Sequence, residues 1–325
     1  MKDGYGREIE YLRISVTDRC NLRCKYCMPD GIKWIPMEEI LSFEEIEAVV
    51  RCGARLGLKS VRLTGGEPLT RRGIEDLVKM IKDTEGIGRV SITTNGVLLK
   101  EKLPELLSAG LDAVNISLDT LNRERYKEIT GCDALGSVLE VIDEAVNSGI
   151  RTKINVVSLG SVEEELLSIT SLAKDRALDV RFIEMMPIGR GKSSSYFDHR
   201  SLLFKLKELY PELIMDMEPH GSGPAVYFKI PGFKGSIGLI SSIHFKFCDS
   251  CNRVRLTSRG VLKLCLCYED GTDLREILRS GLPDREKEEK LTQAIRDAIL
   301  RKPRFHSFEN AADITESAFM NGIGG

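Results

Sequence analysis

The chain holds 325 residues, 42% hydrophobic and 30% charged, an ordinary globular balance with room for about two domains. Its 47 basic and 49 acidic residues nearly cancel, which excludes a generally basic binder of nucleic acid polymers. The opening MKDGYGREIE has no apolar signal segment, and no run approaches the ~18 apolar residues of a membrane helix, so a cytoplasmic chain is expected.

In chain order, β-rich runs at 11–16, 60–64, 90–94, 112–118, 153–158 and 180–184 alternate with helical patterns at 43–57, 73–84, 99–109, 123–130, 136–148 and 162–175. Gly57, Gly110 and Gly149 fall where helix C-caps belong. Six β/α units in succession predict a parallel sheet with helices outside, and a closed eightfold barrel needs two more. The expected fold is therefore α/β, an incomplete (β/α)6 TIM-type barrel. GRGKSSSY at 189–196 reads as a linker, dividing the chain into 1–190 and an α+β region over 191–325. In the second part a helix is expected at 200–210, short β runs at 225–266 and an amphipathic helix at 284–302 stopped by Pro303. The closing NGIGG by itself reads as a floppy tail.

Side chains alternate along a strand, so each β run has two faces. Leu12, Ile14, Val61, Leu63, Val114, Ile116, Ile154 and Val156 form apolar faces suited to the helical layer. The opposite faces then point inward and carry Arg13, Arg62, Thr93, Ser117, Lys153 and Asn155. Unpaired cations cannot sit in a dry core, so they require water or an anionic, phosphate-bearing ligand. A face assignment shifted by one residue would instead leave them on a solvated surface.

Nine cysteines in a long chain without a signal segment point to metal ligation or catalysis rather than a disulfide framework. Cys20, Cys24 and Cys27, spaced C-x3-C-x2-C in the loop after the first strand, suit three irons of a [4Fe–4S] cubane with the fourth left open. A structural zinc site would need a fourth ligand. Cys248, Cys251 and Cys265 repeat the three-ligand pattern; locally, a four-cysteine zinc site that adds Cys267 competes with it. Cys52 and Cys132 read as small packed residues. Arg253 and Arg255 share one strand face behind Cys251 and suit a nucleotide or phosphate, or else a solvated basic edge.

CNLRCKYC, GGEP after the second strand and the partial barrel resemble the radical S-adenosylmethionine superfamily. FCDSCNRVRLTSRGVLKLCL, VTDRCNLRCKYCMP and the terminal Gly324-Gly325 are similar to one family within it, the GTP 3′,8-cyclases of molybdenum cofactor biosynthesis. The resemblance spans essentially the whole chain; Cys267 lies outside the matched pattern. It implies a lyase that converts GTP to (8S)-3′,8-cyclo-7,8-dihydroguanosine 5′-triphosphate with two [4Fe–4S] clusters and S-adenosylmethionine. Cys20, Cys24 and Cys27 match the ligands of the first cluster, and Cys248, Cys251 and Cys265 those of the second, whose open iron would bind guanine. Tyr26, Gly66, Ser117 and Met186 match positions around S-adenosylmethionine. Arg13, Arg62, Thr93, Lys153, Arg253 and Arg255 match GTP contacts, and Gly324-Gly325 match a catalytic diglycine tail. An electron donor, a downstream cyclic pyranopterin monophosphate synthase and possible homodimerisation are also implied. The competing reading is a radical S-adenosylmethionine enzyme with an auxiliary cluster acting on a peptide; it would have no need of the inward cations.

Overall fold

A computed structural model of the chain describes residues 1–28, 34–159, 163–189, 191 and 198–324. Most of the linker read at 189–196 falls outside these residues, as does Gly325. The first six strands are β1 (Tyr11–Ser15), β2 (Ser60–Thr64), β3 (Arg89–Thr94), β4 (Ala113–Ser117), β5 (Arg151–Val157) and β6 (Leu178–Ile183), paired in parallel and in chain order. Between them run α1 (Phe43–Arg55), α2 (Ile74–Lys82), α3 (Leu99–Ser108), α4 (Arg123–Thr130) and α5 (Leu135–Asn147). The helix expected over 162–175 is divided at Ser171 into α6 (Glu163–Thr170) and α7 (Leu172–Asp175).

Local chemistry explains the helix ends. Ser42 and Glu45 close a capping box at the start of α1: the Ser42 hydroxyl accepts from Glu45 N, and Glu45 accepts from Ser42 N. Gly57, Gly110 and Gly149 follow α1, α3 and α5 with positive φ, where a side chain would be strained.

After α8 (His199–Leu209) come β7 (Ile214–Asp216), β8 (Val226–Lys229), β9 (Ile237–Ile240), β10 (Arg253–Leu256), β11 (Val261–Lys263) and β12 (Gly271–Asp273). These strands join the same sheet at both edges. β9 pairs in parallel with β6, and β10 pairs in parallel with β1, so eight parallel strands stand side by side. Antiparallel hairpins then extend the sheet on each side, giving the order β12-β11-β10-β1-β2-β3-β4-β5-β6-β9-β8-β7. The two strands missing from a sixfold unit are thus supplied from the far end of the chain, without closing the barrel. The chain continues through α9 (Arg275–Leu278), α10 (Asp284–Leu300), which packs on α1, and a last turn, α11 (Met320–Ile323).

The apolar strand faces do meet the helices. Leu12, Ile14, Val61, Leu63, Val114, Ile116, Ile154 and Val156 are buried with Ile46, Val49 and Val50 of α1 and Leu77, Val78 and Ile81 of α2. Each such side chain contributes roughly 1.5–3 kcal/mol on burial. A smaller cluster of Ile188, Leu266, Cys267, Phe308, Ile314 and Ile323 lies under the C-terminal loops. No described helix is long and apolar enough to cross a membrane.

Candidate active site

The sheet register lines up the inward cations. Arg255 on β10, Arg13 on β1 and Arg62 on β2 stand opposite one another, a row across three neighbouring strands. On the far side Asn115 faces Lys153, and Asn155 faces Arg181. Adjacent guanidiniums repel, and water cannot screen them fully here. Burial first, then the neighbouring Arg255 and Arg62, hold Arg13 well below the usual arginine range. Burial and Arg253 lower Arg255 to about 10. Such a row calls for an anionic ligand.

Arg13, Arg62, Arg181, Arg253 and Arg255 open into one chamber that is partly continuous with solvent. Met186, Cys248, Cys251 and Cys265 line the same chamber. Lys153 sits in an adjoining recess that shares Arg62 and Arg181, at the opposite end of the strands. Its ammonium pairs with Asp179 at 2.9 Å, donates to the Tyr227 hydroxyl at 2.7 Å and meets the His220 carbonyl. Burial, seconded by Arg181 and opposed by Asp179, brings Lys153 down to about 7. Thr93 faces Asn115 on the same inner face, and its buried hydroxyl has no hydrogen-bond partner among the described residues. Arg253 Nε and Ser242 Oγ are likewise buried and unpartnered among them, and both residues line the chamber. Orphaned polar atoms there fit a polar ligand.

The cysteines of the second group differ in their surroundings. Cys248, Cys251 and Cys265 face the chamber, while Cys267 is fully buried in the smaller apolar cluster and its sulfur accepts from Ser307 N at 3.4 Å. The group stands in a positive field: against its burial, Lys302, Arg253 and Arg7 pull the Cys251 thiol below its ordinary value. Arg7 ties this region to the N-terminus, donating to the carbonyls of Cys248 at 2.9 Å and Arg304 at 2.8 Å while paired with Asp3 at 2.6 Å.

The first group lies at the mouth, on the loop after β1. Burial and the neighbouring carboxylate and thiols push Cys24 up, and burial with Cys20 pushes Cys27 up to about 12. Free thiolates are therefore costly at both positions, whereas metal ligation compensates the charge. Among the described residues no three His, Cys, Asp or Glu side chains gather around a single ion. A cubane takes one thiolate per iron and spreads its cysteines over separate corners, so two three-thiol sets suit clusters rather than lone ions. Cys52 is buried and Cys132 half-buried.

Tyr26, Ser117 and Cys24 line a small cavity beside the first group. The Tyr26 hydroxyl donates to Asp119 at 2.7 Å, and Asp119 also accepts from Val157 N at 2.8 Å. Burial raises Asp119 to about 6. Gly66 is the point of closest approach between two loops: its N–H donates to Thr17 O at 2.7 Å, and a Cβ there would meet Arg19 O at 2.2 Å. Next to it, Glu67 is buried and accepts from Leu69 N, Asn95 N and Thr94 Oγ1 at 2.7–3.0 Å, which pins the loop after β3. Burial lifts its carboxyl to about 7 against those three bonds.

The tail is ordered by contacts at both sites. The Asn321 backbone N–H donates to the Cys27 sulfur, and the Asn321 amide donates to Asp18 O at 3.4 Å. Gly324 is left-handed, with φ 76°, and its carbonyl accepts from Arg255. Glu67 and Asp119 belong to the polar loops that follow the second and fourth strands, whereas Arg181, Arg7 and Lys302 enter the site without being singled out by the sequence. Alternation along the sixth strand is sufficient to aim Arg181 inward; Arg7 and Lys302 are loop or helix-end residues whose sequence context carries no such signal.

Residues 14–173 match the radical SAM superfamily, and residues 178–308 match the family described as Molybdenum Cofactor Synthesis C. The chain is 44% identical over 327 residues to GTP 3′,8-cyclase of Clostridium perfringens and 42% identical over 331 residues to that of Alkaliphilus oremlandii, covering all of both chains in each case. A solved structure of Streptococcus suis SuiB bound to S-adenosylmethionine shares the fold, with a TM-score of 0.66 at 14% identity over 96% of this chain and 76% of that one. With this identity extending along its full length, the chain belongs to the GTP 3′,8-cyclase family of radical S-adenosylmethionine enzymes.

Proposed function

We propose that GTP occupies the arginine-lined chamber, with its triphosphate on Arg13, Arg62, Lys153, Arg253 and Arg255, Thr93 as a further contact, and its guanine toward Cys248, Cys251 and Cys265. The observation that carries this reading is that the arginine row and the second cysteine trio share one cavity. As a member of its family, the protein is a radical S-adenosylmethionine lyase with two [4Fe–4S] clusters, forming (8S)-3′,8-cyclo-7,8-dihydroguanosine 5′-triphosphate at the first step of molybdenum cofactor biosynthesis.

Cys20, Cys24 and Cys27 hold the first cluster, and Tyr26, Gly66, Ser117 and Met186 surround S-adenosylmethionine. When bound, this pair would supply the radical that removes hydrogen from ribose C3′, after which C3′ joins C8 and one electron and one proton, the electron from the implied donor, complete the 7,8-dihydro product. The chain's own task is placement. The cations fix the triphosphate by charge-assisted hydrogen bonds, the second trio fixes the base, and together they present C3′ in one orientation. Asp119 orients Tyr26. Gly324, which lacks a side chain, lets the backbone approach the ligands closely, and Gly325, outside the described residues, is assigned to the same tail on the family resemblance. Residues 1–190 then serve the cosubstrate and 191–325 the base end of GTP. An electron donor, a downstream cyclic pyranopterin monophosphate synthase, a homodimer and a cytoplasmic location complete this reading on the family resemblance.

The test is anaerobic incubation of the reconstituted protein with S-adenosylmethionine, a strong reductant and GTP. Both 5′-deoxyadenosine and cyclised nucleotide are expected, and other nucleotides should fail. Deoxyadenosine without a GTP product would refute the substrate, and none at all with intact clusters would refute the enzyme.

A further inference from the structure

We infer that Lys263 and Glu316 form a latch that holds the C-terminal tail at the chamber while substrate binds. This rests on the chamber being the GTP site. Lys263 on β11 is 4% exposed and Glu316 is 1% exposed, and their charges meet at 2.5 Å. Two charges are kept this dry only when paired and hydrogen-bonded. Each has one further hydrogen bond: Lys263 donates to Glu269 O at 3.0 Å, and the other Glu316 oxygen accepts from Ala318 N at 2.8 Å. Glu316 N donates to Cys267 O at 3.2 Å, and Thr315 Oγ1 accepts from Glu269 N at 3.0 Å. The segment is thus fixed to the β11–β12 hairpin just before the tail turns inward.

Beyond Glu316 the anchors differ in kind. Ile323 is buried among Ile188, Leu266 and Phe308, Asn321 reaches Asp18 and Cys27, and the last described contact is the Gly324 carbonyl on Arg255. Arg255 is also a proposed phosphate ligand, so GTP and Gly324 compete for its donors. The distal anchor is therefore released or shared when substrate enters. Lys263 and Glu316 do not line the chamber, so their pair survives that exchange and keeps the tail tethered. Both are positioning residues: they touch neither ligand and act through the tail.

The test compares amide hydrogen exchange in the full-length, cluster-loaded wild type and in Glu316→Gln, with and without GTP. The Lys263→Met/Glu316→Gln double variant leaves no stranded charge and guards against misfolding. In both variants residues 317–324 should exchange at least about tenfold faster with iron content unchanged and GTP affinity undiminished, and in the double variant β10–β12 protection should be unchanged. Cyclised product should fall by at least about tenfold while 5′-deoxyadenosine continues to form. Unchanged tail exchange, or protection lost equally across β10–β12, would overturn the latch. If wild type makes no cyclised nucleotide the proposed substrate fails, yet tail exchange without GTP still decides the latch.

Discussion

Lys153 gives the sharpest handle on substrate binding, because its ammonium is held near neutrality before GTP arrives. With burial and Arg181 lowering it to about 7, only about one-tenth of the protein carries the charge at pH 8. A triphosphate contact needs the charged form, so binding must draw a proton. The sign follows: GTP affinity falls as pH rises through 7, approaching about tenfold per unit above it. Over about pH 7.5–9 the phosphates stay fully ionised, since their last pKa lies near ~6. Calorimetry in buffers of different ionisation enthalpy should therefore register uptake of close to one proton at pH 8. Removing a hydrogen bond to a charged group costs about 1.5–3 kcal/mol, so Lys153→Met should weaken binding by roughly 10–150-fold at a pH where the lysine is charged. At pH 8 the protonation cost of about 1.4 kcal/mol is already spent, and the loss should shrink by about tenfold. No proton uptake in wild type, or the same uptake in Lys153→Met, would refute the argument.

Cys265→Ser should lose about half the iron of the reconstituted protein, whereas Cys267→Ser should keep it all; iron analysis with the cluster's spectroscopic signal distinguishes them. Gly66→Ala forces a Cβ against the Arg19 carbonyl and should weaken S-adenosylmethionine binding by at least about tenfold while GTP binding persists, read by equilibrium dialysis of each ligand. Arg7→Met strands the buried Asp3 and unties the carbonyls of Cys248 and Arg304; denaturant unfolding should show a loss of about 3–5 kcal/mol.

The sequence carries the barrel half of this site further than the rest. Alternation in 11–16, 60–64 and 153–158 is enough to aim Arg13, Arg62 and Lys153 inward, because the opposite faces are uniformly apolar and have a helical layer to meet. The same alternation cannot say which strands are neighbours, so the adjacency of Arg255 to Arg13 appears only in the register. β9 and β10 have four residues each, too few for a clear pattern, and their places are set by pairing with β6 and β1 across long stretches of chain. Cys265 and Cys267 compete on local spacing alone, and apart from the family pattern it is the packing around each that separates a chamber-facing thiol from a core one. Arg7 and Lys302 read as ordinary surface cations because the carbonyls that accept their hydrogen bonds come from remote loops. The tail reads as floppy for a related reason: its partners, Arg255, Cys27 and Asp18, lie far away in sequence.

The eight-strand parallel row has a consequence for how the molecule is made. β1 is central in the finished sheet, yet one of its edges has no partner until residues 253–256 leave the ribosome. During synthesis the first six strands must wait with two open edges, one on β1 and one on β6. Open edges of this kind recruit other chains. Truncations that end before β9 and β10 should therefore aggregate rather than yield a free cosubstrate-binding half.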